Sequence, residues 1–166
     1  MRYYINSLPK TKNMKKIFTV LTASLILFSC TQPSPPAAVI IKAPIDSLVN
    51  NWASSWSNHD SAAVRNLFLA DALLIDDNYI GANAGEFSAK WIHPNISMVS
   101  NLRTVKIQDW STADRAGYTG KYALDVVVKD SVIATGSGVF TVNWIKTDTG
   151  DWKITTANIH SFVAKK

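Results

Sequence analysis

The residues of this sequence best suited to chemistry lie in its last apolar stretch, Trp152 to Val163. Trp152, Ile154, Thr156, Asn158, His160 and Phe162 share one parity there, and a β-strand sends alternate side chains to the same face. Trp152, Ile154 and Phe162 mark that face as the inward one, so Thr156, Asn158 and His160 are expected to project into an apolar interior. Buried polar groups need partners, and a few of them converging in an apolar pocket is how small-molecule sites are built. An imidazole so placed can carry a proton near neutral pH. The competing reading is structural: His160 bonds a helix residue or a water, or a bulge turns it outward.

Asp76 is the candidate partner. It closes an earlier short strand, and an Asp76–His160 pair would orient the imidazole and raise its basicity. Leu74 shares parity with Asp76, while Leu73 and Ile75 make the opposite face the more apolar one. Alternation therefore argues for a solvated strand end. Trp52, Trp56, Tyr122 and Trp144 are candidate walls for a planar or greasy ligand; plain core is the alternative. Arg103 suits an anionic ligand or a surface ion pair. His59, His93 and His160 are scattered, so no metal site is expected. No cofactor is expected either, since the chain has no glycine-rich phosphate loop and no Gly-x-Ser-x-Gly elbow.

The elements that must position these residues divide the chain in two. Ile45, Leu48, Val49, Trp52 and Trp56 form one stripe of an amphipathic helix, with Asp46, Asn50, Asn51 and Ser54 on the other side. Ser57-Asn58-His59 breaks it, and Asp60 caps a second helix faced by Val64, Leu67 and Phe68 and ending near Asp71. Ala72 to Asp76 reads as a short strand, Tyr79-Ile80-Gly81 as a turn, and Gly85 to Ile92 as a short helix stopped by Pro94. From Leu102 the pattern becomes period two. Strands are expected over Arg103–Asp109, Tyr118–Lys129 and Val132–Lys146, the last with a bend or bulge at Gly136 and Gly138. A hairpin at Asp148 to Asp151 leads into the final strand. Helices first and a one-sided antiparallel meander second make an α+β domain.

The N-terminal 44 residues concern address. Of the 17 Lys and Arg, five (Arg2, Lys10, Lys12, Lys15, Lys16) precede Cys30 and no acid does, so the remaining 12 balance the 12 Asp and Glu. The basic isoelectric point belongs to the leader, and without a clustered basic face no nucleic acid is expected as a partner. Lys15-Lys16, the uncharged run Ile17 to Phe28, and the small Ser29 before Cys30 are the three parts of a secretory signal. A twelve-residue uncharged run is shorter than the roughly 20 apolar residues that span a bilayer; an uncleaved anchor is the alternative. Leu27-Phe28-Ser29-Cys30 resembles the lipobox of bacterial lipoproteins, which implies acylation of Cys30 and anchorage in a bacterial envelope membrane, on the periplasmic side or cell surface. The expected organisation is a signal peptide over 1–29, a lipidated Cys30 and Pro-rich tether over 30–44, and a single domain over 45–166. Met14 is an alternative start, with 1–13 a mis-assigned extension. One cysteine excludes an intramolecular disulfide.

Trp52-x3-Trp56-x3-Asp60-x6-Leu67-Phe68-x2-Asp71-Ala72 resembles the opening helices of SnoaL-like domains of the nuclear-transport-factor-2-like superfamily, and Gly150-Asp151-Trp152-Lys153-Ile154-x5-His160 their closing strand. The resemblance implies a curved antiparallel sheet wrapped around the N-terminal helices, a cone-shaped α+β barrel with an apolar pocket. The superfamily includes isomerases, dehydratases and non-enzymatic binders, often dimeric through the outer sheet face. No branch's complete catalytic set is present. Three functions therefore compete. One is an envelope-anchored binder of a small, largely apolar ligand; the second is an isomerase or dehydratase with His160 as acid–base group. The third is a homodimeric or protein-interaction module using the face of Lys153, Thr155, Ala157, Ile159, Ser161 and Val163.

Overall fold

The structure, a computed structural model, describes residues 42–162; the signal segment, Cys30 and most of the tether lie outside the described residues. The first element, α1 (Ile45–Ser57), buries Ile45, Val49, Trp52 and Trp56 along one stripe and exposes Asp46, Asn50 and Asn51. Asp46 in the first turn favours the helix dipole. The chain reverses through His59, which takes a left-handed φ of 57°. Asp60 then caps α2 (Ser61–Asn66), accepting the Ala63 N–H at 2.8 Å.

The second helix is shorter than its pattern predicts. It stops at Asn66, and Phe68, expected on its apolar face, opens β1 (Phe68–Asp76). The reason is long-range pairing: Ile154 donates its N–H to the Leu67 carbonyl at 2.7 Å, and Phe68 lies in register with Ile154. Tyr79–Gly81 is a strand, β2, instead of a turn; the turn is Asp77-Asn78, since Asp76 pairs with Tyr79.

A helical segment follows as α3 (Ala84–Phe87), a π-helical turn (Ser88–Ile92) and α4 (His93–Ile96). Asn83 caps it, accepting from the N–H groups of Gly85 and Glu86. Pro94 does not stop the helix as expected. It sits in the first turn of α4, where a missing N–H costs little, and the wider turn ahead relieves its ring's clash with the preceding carbonyls. Both Trp91 and Ile92 are buried from this turn.

The remainder is a meander of β3 (Val99–Ser111), β4 (Arg115–Val128), β5 (Ser131–Lys146) and β6 (Trp152–Ser161). The six strands form one curved, unclosed sheet in the order β2-β1-β6-β5-β4-β3, antiparallel throughout except that β1 runs parallel to β6. Phe87, Leu74, Ile92, Ile154, Val64 and Val142 are fully buried between the helices and the sheet. Ser57 Oγ accepts the Leu102 N–H at 3.0 Å and His59 Nε2 donates to the Val99 carbonyl at 2.9 Å, fastening the end of α1 to β3.

Two expectations about the strands need correction. Pairing runs unbroken through Leu124–Gly136 and Tyr122–Gly138, so the glycines mark no bulge. Gly138 is required for close approach: a Cβ there would collide with the His160 carbonyl oxygen and come within 2.7 Å of the Tyr122 ring. An extra residue in β5 does occur, at Ile133 ahead of the glycines, and the bulge that decides the site lies in β6. Trp144 pairs with Ile154 but Asn143 pairs with Thr156, leaving Thr155 as an extra residue. Two residues opposite one reverse the alternation beyond that point. Ile154 and Ala157 are both buried, whereas Asn158, His160 and Phe162 are exposed. Thr156, Asn158 and His160 therefore do not point inward, and Ala157, Ile159 and Ser161 do not form the outer face.

Candidate functional site

Between α1, the α3–α4 segment and the concave side of the sheet lies a cavity of about 200 Å³. Its wall begins with α1, whose stripe presents Trp52 and Trp56 one helical turn apart with ring centroids at 6.2 Å. The π-helical turn adds Trp91, which meets Trp56 edge-to-face at 5.0 Å and 79°. From the sheet come Leu102 and Thr104 of β3, Tyr122 and Leu124 of β4, Phe140 of β5, and Ile159 and Ser161 of β6.

The polar groups are few, and the Trp56 indole N–H is buried without a hydrogen-bond partner. Asp76 reaches the cavity at the end of β1; its Oδ2 accepts the Trp91 indole N–H at 2.7 Å and its Oδ1 accepts the Asp77 backbone N–H at 2.8 Å. Tyr122 and Ser161 share a hydroxyl–hydroxyl bond of 2.9 Å across β4 and β6. Burial is the main cause that pushes the Tyr122 phenol above its ordinary 10.0; the Ser161 bond opposes this, and the Asp76 and Asp77 charges add to it. Asn95 sits beside them, its side chain donating to the Trp91 carbonyl at 2.8 Å.

Of the residues singled out in the sequence, Trp52, Trp56, Tyr122 and Asp76 meet at this cavity. Asp76 does so against the alternation argument, because the Leu74 face of β1 is the buried one: Leu74 is fully buried and Leu73 and Ile75 only half so. Trp144 is core, 4 % exposed and away from the cavity. Thr156 and Asn158 are not on the wall, and His160 is outside with its side chain 68 % exposed.

The candidate Asp76–His160 pair does not form. His160 Nδ1 pairs with Asp77 instead, and Asp77 also accepts the Ser161 N–H at 2.8 Å. That backbone bond is the first cause holding the Asp77 carboxyl below its ordinary 3.8, with the Ser161 and His160 side chains contributing and desolvation opposing. Arg103 lies at the surface, 3.7 Å from Asp125. Trp91, Asn95, Thr104, Phe140, Ile159 and Ser161 were not foreseen as wall residues. Phe140 had the only usable signal, its inward parity on β5; Trp91 depends on a π-helical turn that no spacing announces. Among the described residues no cluster of three His, Cys, Asp or Glu could hold a metal ion, and no helix is long and apolar enough to cross a membrane.

Helices packed into a strongly bent, open sheet over an aromatic cavity define the fold of nuclear-transport-factor-2-like proteins. Solved structures with this fold include an NTF2-like protein of unknown function from Shewanella oneidensis, with TM-score 0.59 and 20% identity over 70% of this chain and 95% of that one. A ketosteroid isomerase-like protein from Erwinia carotovora atroseptica superposes with TM-score 0.62 at 13% identity, covering 72% of this chain and 94% of its own. An NTF2-like superfamily protein from Salmonella enterica matches with TM-score 0.61 at 12% identity, over 74% of this chain and 91% of that one. No family profile matches the sequence, and no curated protein matches it. At these identities the likeness shows the fold alone.

Proposed function

We propose that the protein is an exported, lipid-anchored binder of a small, largely apolar molecule. In this reading its SnoaL-like domain, residues 45–166, is tethered to a bacterial envelope membrane through acylated Cys30. The observation that supports ligand binding is the cavity of about 200 Å³ with indole and phenyl walls. An apolar cavity of roughly 150 Å³ accommodates benzene, so this one suits a body of one or two rings. Native mass spectrometry of the protein drawn from its own envelope tests the reading. A stoichiometric small-molecule adduct is expected, absent from a Leu102→Trp variant that fills the cavity. An adduct-free protein whose melting temperature no aromatic compound raises would refute it. For the anchor, Cys30→Ser is expected to move the protein from the membrane fraction to the soluble one.

A second reading, an isomerase or dehydratase, draws support from Asp76 and the Tyr122 hydroxyl sharing the same cavity. There Asp76 accepts a proton from substrate carbon while Tyr122 donates to the developing oxyanion. The ketosteroid isomerase-like neighbour lends this reading weight. His160, outside the cavity, has no part in it. Homodimerisation through the sheet remains part of the proposal, with its apolar contribution assigned to the exposed Val105 and Ile107 of β3.

A further inference from the structure

We infer that the cavity's occupant carries an ammonium group on its apolar body, seated against the Asp76 carboxylate and among the faces of the surrounding aromatic rings. This rests on the ligand-binding reading above and names the chemistry of the ligand. Asp76 is the only charged side chain among the described residues of the wall. Both its oxygens accept from neutral donors, the Trp91 indole and a backbone N–H. Among the described residues no Lys, Arg or His nitrogen lies within 4.0 Å of it. The nearby imidazole, His160, is held by Asp77 on the outer side of the sheet.

A carboxylate in a half-buried apolar space without a counter-ion is costly, and a cation in contact with it offsets that cost. The carboxylate has about four acceptor positions, of which the indole and the amide take two. The aromatic part of the wall has the same preference. Trp52, Trp56, Trp91, Tyr122 and Phe140 present π-systems, and indole is the best ring for attracting a cation. An anionic ligand meets the opposite situation: the Asp76 and Asp77 charges that push the Tyr122 phenol upward also repel it. A zwitterionic lipid headgroup brings a phosphate for which the wall has no cationic partner. A free ammonium compound of one or two rings fits on both counts.

Calorimetry with the full chain compares benzyltrimethylammonium with its neutral carbon isostere, neopentylbenzene. The cation is expected to bind at least tenfold more tightly. In Asp76→Asn the tenfold preference for the cation over the neutral compound should vanish, and in Asp76→Glu it should persist; circular dichroism checks that both variants fold. Equal or tighter binding of neopentylbenzene to the wild type overturns the ammonium assignment and leaves the cavity reading standing. If neither compound binds, both fail. Phosphocholine binding as tightly as benzyltrimethylammonium would assign the site to a headgroup and overturn the free-ammonium assignment.

Discussion

Substitutions at consecutive positions of β6 test the bulge on which the whole site depends. Ala157 is fully buried and pairs with Val142 on β5 and Leu74 on β1, both also fully buried. Ala157→Leu inserts three carbons where neighbours on both sides are already close-packed, so about 1–3 kcal/mol of destabilisation is expected. At about 4 °C per kcal/mol for a domain of this size, that lowers the melting temperature by roughly 4–12 °C. Asn158→Leu and His160→Leu place the same side chain on the exposed face, where changes stay within about 0.5 kcal/mol. Thermal and urea unfolding followed by circular dichroism read all three. Without the extra Thr155 the order would invert, because Asn158 and His160 would then face the core. Greater destabilisation at 158 or 160 than at 157 refutes the bulge and the cavity wall built on it.

Gly138→Ala is expected to destabilise by about 1–3 kcal/mol and to weaken cavity binding, because its methyl displaces the Tyr122 ring and with it the bond to Ser161; urea unfolding and ligand titration read the two effects. Trp91→Phe keeps an aromatic ring but deprives Asp76 of a donor, at a cost of about 1.5–3 kcal/mol for a hydrogen bond to a charged group, measured by the shift of the urea midpoint. Asp60→Ala removes the cap of α2 and is expected to cost about 1 kcal/mol by the same assay. Asp77 has a folded-state pKa below its ordinary 3.8, so its contribution is complete above that pH and is lost as pH falls through the lower folded value. Melting curves of wild type and Asp77→Asn should therefore converge on acidification below about 3.8.

The sequence was informative where one local rule decides the outcome. The spacing of Ile45, Val49, Trp52 and Trp56 gave the buried stripe of α1, and Asp60 gave the cap of α2. Phe140, Val142 and Trp144 alternate inward as their parity predicts. The misses occur where a distant strand overrides the local pattern. Phe68 has helical spacing but is claimed by Ile154, 86 residues later. Thr155 looks like any other strand residue, yet as the extra member of a bulge it reverses every position after it. Asp76 looked outward because Leu73 and Ile75 outweigh one leucine in hydropathy, but burial is set by which face of β1 the helices cover, and that is the face of Leu74.

The sheet order has a consequence for how the chain is made. β6 lies between β1 and β5 and is the last of the six described strands to be synthesised. Until it arrives, β1 and β5 each have an unpaired edge, and Ile154 and Ala157 are missing from the interior. Contacts so remote along the chain form late and slowly. With its central position unfilled until residue 161 has been made, the six-stranded sheet completes itself only after nearly all of the described chain is available, so the domain closes as one late event rather than strand by strand.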